Sequence, residues 1–230
     1  MSNLTEEQQI EQLKDWWKDN GTPLIIGAVL GLSGFFGWKY MTEKEVAYQE
    51  SASTLYVSVT DELEKEDKSQ LGEKAQAVKD QYPDTSYAIM SAFHLAKIAV
   101  EAKDLDKAVS ELNWVLTNHK DSDLAPIAQL RLARIYIAQQ KAEKALEILS
   151  FSDDSGYSEI ASLIKGNALK ALGRNAEALE AYRTAESLGK VTANHPTLKL
   201  MIDELANSEI SLSDETANEP QNAENEGAGK

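Results

Sequence analysis

The chain contains no cysteine, which excludes disulfides, thiolate nucleophiles and thiolate metal sites, and leaves both reducing and oxidising compartments open to it. Only five prolines interrupt its 230 residues. Strand-like runs are scarce beside abundant Ala, Leu, Glu, Lys and Gln, which lose little side-chain freedom in a helix. No cluster of Lys or Arg stands out against a formal charge of −15, so nucleic acid is not expected as a partner: phosphate contacts need clustered cations. His94, His119 and His195 have no second ligand at metal-site spacing, and no glycine-rich phosphate loop follows a strand. The acidic residues lie opposite apolar stripes, as solvated charges do. The chain is therefore expected to be no enzyme, and no cofactor or metal is expected.

What is present divides into unlike parts. Residues 1–21 read as an amphipathic segment: Thr5 and Gln8 have capping-box spacing, Ile10, Leu13 and Trp17 share one helical face, and Asn20-Gly21 is expected to end the helix. Gly21 to Trp38 is an uncharged, mostly apolar run of 18 residues. As a helix it would measure about 27 Å, close to the hydrocarbon thickness of a bilayer. A transmembrane helix is predicted over 22–40, with Trp16, Trp17, Trp38 and Tyr40 at headgroup level and Lys39 reaching outward. A buried core helix fits less well, because the run is apolar on every face. A cleaved signal peptide also fits poorly: the preceding segment is long and acidic, and no small-x-small site follows Trp38.

Gly27, Gly31 and Gly34 fall at i, i+4 and i+7, a smooth strip where another membrane helix can approach closely; generic small-residue packing is the alternative. Lys14 and Lys18 on one side balance Lys39 and Lys44 on the other, so charge leaves the orientation undecided.

From residue 41 to 212 the chain reads as helices separated by short turns, with an internal repeat. Leu95-Ala96-Lys97-Ile98 recurs as Leu132-Ala133-Arg134-Ile135, and in each copy a second alanine follows twelve residues later, at Ala108 and Ala145. Gly166 and Ala178 keep that spacing in a weaker third copy, with Tyr182 where Leu112 and Leu149 stand. Small residues at these two positions let the paired helices of a tetratricopeptide unit approach closely. Lys103-Asp104, Gln140-Lys141 and Gly173-Arg174 are the turns between paired helices. The expected fold is thus all-α, a tetratricopeptide-like helical-hairpin solenoid preceded by one transmembrane helix. Its units are placed near 45–83 (degenerate), 89–122, 126–158 and 159–192, with a closing helix at 198–212 and a disordered acidic tail at 213–230.

The first helices of such units line a concave surface, and the register directs Met90, Phe93, Lys97, Ile127, Leu130, Arg134, Ile137, Ile160, Leu163 and Asn167 toward it as a candidate partner groove. Lys97, Arg134 and Asn167 share one repeat position and are suited to hold backbone carbonyls or carboxylates of a bound segment. The apolar members, above all Met90, Phe93, Leu130 and Leu163, are equally consistent with core packing between helices.

These features together resemble the bacterial YfgM-type proteins, ancillary subunits of the Sec translocon. The resemblance runs across nearly the whole chain. It is carried by Trp16-Trp17 and Asn20-Gly21, by Gly27, Gly31 and Gly37-Trp38-Lys39-Tyr40, and by Leu130-Arg131-Leu132-Ala133-Arg134 with Gly166 and Ala168-Leu169. It implies a cytoplasmic amino terminus, one helix in the bacterial inner membrane and a periplasmic repeat domain. The partners it implies are the SecYEG translocon, a PpiD-type periplasmic chaperone and newly exported proteins, besides membrane lipid. It supplies no catalytic residues, and the long acidic end departs from the family pattern. The function expected is a membrane-anchored scaffold docking chaperones or exported proteins. The alternatives are a regulator binding a cytoplasmic stress-signalling protein through the amino-terminal segment, or a cell-envelope or division scaffold.

Overall fold

The computed structural model describes residues 6–149, 151, 155–189 and 196–217. Within these the chain is helical, with no strand among the described residues. It divides into two compact units, Met1–Val57 and Ser58–Lys230.

The first unit consists of the amino-terminal part of helix α1, Glu6–Glu64, which is long and apolar enough to cross a membrane. In the apolar stretch the large side chains are exposed: Leu30 is 66% exposed and Trp38 68%. The expected helix end at Asn20-Gly21 does not occur, because α1 runs through both residues and through Pro23. Locally the breakers are accommodated. The Asn20 side-chain amide donates to the Trp16 carbonyl at 3.0 Å, and the Trp17 ring lies over Gly21, where a Cβ would come within 3.1 Å of it. Proline lacks the N–H of the helical ladder, yet spanning helices tolerate it. From Glu6 onward, the segments expected at 1–21, at 22–40 and from Val46 therefore share one helix.

The second unit is a succession of hairpins. The end of α1 is followed by α2, Leu71–Gln81, which stops at Tyr82 ahead of Pro83. Three pairs come next: α3, Ser86–Glu101, with α4, Leu105–Asn118; α5, Ala125–Ala138, with α6, Ala142–Ile148; and α7, Ser158–Ala171, with α8, Asn175–Leu188. Helix α9, Pro196–Ala217, closes the series. Each helix from α2 onward packs on the next in the chain, and α5 also meets α7.

The core is correspondingly a chain of local clusters. Ile89, Ala96, Ala108, Leu112 and Leu132 join α3, α4 and α5. Leu130, Ala133, Ala145, Ala161 and Ile164 join α5, α6 and α7. Leu169, Ala178, Tyr182, Leu198 and Ile202 join α7, α8 and α9. Each fully buried Leu or Ile contributes about 1.5–3 kcal/mol, so cohesion is supplied unit by unit.

The three hairpin turns close identically. Lys103, Gln140 and Gly173 all take a left-handed backbone, with φ of 61°, 60° and 73°. In each turn the next N–H returns to the carbonyl five residues back: Asp104 to Ala99, Lys141 to Tyr136 and Arg174 to Leu169, at 2.8–2.9 Å. This is the Schellman closure, which favours glycine at the left-handed position; only the third turn has one. Asp104 also caps α4, its carboxylate accepting from the Lys107 N–H at 3.0 Å.

The small repeat residues sit where two helices touch. Ala96, Ala108, Ala133, Ala145 and Ala178 are all buried. At Gly166 a Cβ would lie 2.3 Å from the Tyr182 ring. The third unit thus replaces the alanine–leucine contact of the other two with glycine–tyrosine. Tyr182 is fully buried, and its hydroxyl donates to the Asn167 side chain at 2.8 Å. Burial pushes that phenol up to about 12, with a smaller push from Glu204.

At the carboxyl end, α9 extends to Ala217, so residues 213–217 of the tail expected to be disordered are helical. The sequence offers no Gly or Pro between Asn207 and Pro220 to stop it. Residues 218–230, the rest of the expected tail, and His195 lie outside the described residues.

Candidate functional site

The first helices of the three pairs, α3, α5 and α7, place the expected groove residues, and their surroundings sort them into three groups. Leu130 is buried in the core between α5 and α7. Leu163 packs against the α7–α8–α9 cluster, while Ile137 and Ile160 pack against the α5–α6–α7 cluster, each half-buried. Leu130 is thus a packing residue, and the other three serve packing on one side and keep some exposure on the other. Their helical periodicity would be the same for a partner-facing stripe.

Asn167 forms a second group by itself. It is half-buried and its side-chain oxygen already accepts the Tyr182 hydroxyl, so it differs from Lys97 and Arg134 although all three share a repeat position. The third group is open. Met90 and Ile127 are half-buried, Phe93 is half-buried with one side against the α3–α4–α5 cluster, and Lys97 and Arg134 are exposed. Lys97 lies 3.8 Å from Glu101 one turn along α3, a contact of the exposed kind that contributes little.

The structure adds two residues that repeat spacing did not single out. The Arg131 guanidinium stands over the Phe93 ring, 4.4 Å from its centroid, linking α5 to α3. Loss of hydration lowers the pKa of Arg131, and Arg134 beside it lowers it further. His94 lies in the same field: its pKa is lowered first by burial, then by Lys97 and Arg131. Phe93, His94, Lys97, Arg131 and Arg134 therefore form one cationic, aromatic patch across two helices. Among the described residues neither Arg131 nor Arg134 has a carboxylate partner. A signal for this was present in the sequence: Ala125–Ala138 contains two arginines and no acidic residue, in a chain with 38 acids against 23 Lys and Arg.

Other ion pairs serve the fold. Lys79 of α2 pairs with Glu111 of α4 with both side chains about nine-tenths buried, and Lys79 also lies 5.1 Å from the Trp114 ring centroid. His119 Nε2 lies 2.7 Å from the Pro83 carbonyl, tying the end of α4 to the turn before α3. Glu62 receives Lys74 at 2.7 Å and Lys65 at 2.9 Å. Those two hydrogen bonds, the Lys74 one first, lower its carboxyl from 4.5 to about 2. Gly27, Gly31 and Gly34 lie on α1 with open space where a Cβ would be, so that strip is sterically free.

Comparison with known proteins agrees with this architecture. The tetratricopeptide repeat-like domain family matches residues 14–207, a range that takes in both the apolar stretch of α1 and the hairpins. A Haemophilus influenzae protein named ancillary SecYEG translocon subunit is 29% identical over 187 residues, 81% of this chain and 91% of that one. Proteins of the same name from Escherichia coli K12 and Neisseria gonorrhoeae are 27% and 24% identical, covering 87% and 89% of this chain and 97% and 99% of their own. No solved structure gives a significant match.

Proposed function

The chain belongs to the tetratricopeptide repeat-like domain family, and we propose that it is a non-enzymatic, membrane-anchored scaffold of the Sec translocon. In this reading the apolar stretch of α1 spans the bacterial inner membrane with its amino terminus in the cytoplasm. The hairpins stand in the periplasm, where their first-helix face docks a periplasmic chaperone of the PpiD type or a newly exported protein. The observation that carries the proposal is the extent of similarity: relatives named ancillary SecYEG translocon subunit match across span and repeats together, over 97–99% of their own length in two cases.

The physical logic follows from tethering. A solenoid offers an extended surface for an unfolded or helical segment. Fixing that surface beside a channel exit replaces a bulk encounter with an intramolecular one, at an effective concentration of about millimolar for a short tether. A weak groove then suffices. The span also contributes a contact, because the strip of Gly27, Gly31 and Gly34 permits close approach of another membrane helix.

The test is site-specific crosslinking in cells, with a photoreactive residue at Gly31 in the span and another at Lys97 in the hairpins. The proposal predicts adducts with channel subunits from the first position, and with chaperone or exported chains from the second. Failure of both to capture any export component, with the protein at its normal level in the membrane, contradicts it.

A further inference from the structure

The charges of the repeat domain are distributed unevenly between the two helices of each pair. The second helices, α4, α6 and α8, carry seven carboxylates against three Lys or Arg, in keeping with the charge of −15 for the chain. The first helices reverse this: Lys97, Arg131, Arg134, Lys165 and Lys170 stand against only Glu101 and Glu159, and Glu159 is buried. In a chain with acids to spare, Arg131 and Arg134 are nonetheless left without carboxylates among the described residues. Arg131 is held in place over Phe93.

We propose that this patch is a docking site for an acidic peptide segment of a partner protein, one in which carboxylates alternate with large apolar side chains. This deepens the docking role proposed above and rests on it. Arg131 and Arg134, three residues apart on α5, present planar donor forks suited to bidentate carboxylate pairing. Lys97 on α3 extends the charge across to the neighbouring helix. The Phe93 ring, with Met90 and Ile127 half-buried nearby in the register, supplies an apolar anchor beside the forks. An anchoring aromatic flanked by arginines is the composition that concentrates binding energy at protein interfaces.

An anionic bilayer shares the carboxylate segment's charge but fits less well. Screening confines the attraction of the patch to about 8 Å at physiological salt. A narrow peptide lying along α3 and α5 stays within that range, whereas an extended anionic membrane is opposed by the net charge of −15 that the chain carries.

The experiment uses the full-length chain in nanodiscs of zwitterionic lipid and fluorescence anisotropy of two labelled peptides. One interleaves glutamate with leucine and phenylalanine; the other has glutamine in place of each glutamate. The acidic peptide is expected to bind at least about tenfold more tightly than its amide twin. Raising the salt from about 50 to about 300 mM should weaken it, and Arg131→Gln with Arg134→Gln should abolish the preference. Exposed Arg134→Glu, checked for an unchanged melting temperature, should weaken it by itself. Equal binding of the two peptides, no binding of either, or an unaltered preference in both variants overturns the proposal. So does capture of phosphatidylglycerol vesicles by the patch while the acidic peptide is ignored. Copurification with channel subunits is followed in parallel. If it persists while the peptide result is negative, only the docking chemistry fails; if it is absent, the translocon reading itself fails.

Discussion

The apolar stretch of α1 and the hairpins after Ser58 use the same large side chains to opposite ends. Leu30, Phe36 and Trp38 are 61–68% exposed on a helix whose apolar window is only 6% buried, whereas Leu112, Leu132 and Ile164 are at most 1% exposed. The difference lies in what accompanies them. Around the apolar stretch of α1 such residues occupy every face and stay uncovered, the pattern for which lipid is the matching solvent. In the hairpins each large residue is opposed by Ala or Gly at a fixed spacing, so a second helix can approach and cover it. Arrangement, more than composition, decides which side chains face lipid and which make a core.

The largest expected effect separates the two regions with one kind of substitution. Leu112→Ala should cost about 2–5 kcal/mol of repeat-domain stability, as lost transfer energy plus a cavity. Leu30→Ala should leave the melting of that domain unchanged, read by circular dichroism of the full chain in detergent. A shared loss would mean that α1 is core to the hairpins and would break the comparison.

Next in size is Gly166→Ala, which forces a Cβ to within 2.3 Å of the buried Tyr182 ring. Overpacking of this kind costs about 1–3 kcal/mol, partly offset by alanine's better helix propensity. Pairing it with Tyr182→Leu recreates the alanine–leucine contact of the first two units. The double variant should therefore be more stable than the two single effects summed. Simple additivity would show that glycine and tyrosine are not a matched pair.

Acid should act on the start of the hairpins. The Glu62 carboxyl is lowered in the folded chain, chiefly by Lys74 and then Lys65, so its stabilisation is full above 4.5 and is lost as pH falls toward 2. Across that window the melting temperature of the wild type should fall more steeply than that of Glu62→Gln. Parallel curves would contradict the assignment.

The smallest effect expected is a gain. Gln140 holds φ of 60° at a turn whose counterpart in the third pair is Gly173. Gln140→Gly relieves a left-handed cost of about 1–2 kcal/mol against a smaller loss of unfolded-state restriction. A rise of about 2–4 °C in melting temperature is predicted. A fall would mean that the side chain at 140 contributes contacts that outweigh its backbone strain.

How much of this could be read from sequence follows from which interactions are local. The repeat register was legible because Ala96 and Ala108, Ala133 and Ala145, and Gly166 and Ala178 repeat one spacing, and the turns between them fell where expected. The continuity of α1 was hidden: Asn20, Gly21 and Pro23 carry the signals that stop helices in water, while the Asn20–Trp16 hydrogen bond and the fit of Trp17 over Gly21 appear only once the helix is built. Periodicity also marked a face on α5 and α7 without saying what covers it, so Leu130 was grouped with the exposed Arg134. Arg131 on Phe93 and Lys79 on Glu111 join residues far apart in the chain, and no local pattern announces such pairs. Asn167 matched Lys97 and Arg134 by position, but the glycine beside it admits the tyrosine that engages its side chain.

The most direct test of the account is protease accessibility in intact spheroplasts, followed by an antibody against the repeat domain. The account predicts that protease added from outside removes the hairpins while a cytoplasmic marker stays whole. Survival of the hairpins under conditions that cut a periplasmic control would contradict it, because the docking face would then lie on the wrong side of the membrane from exported chains.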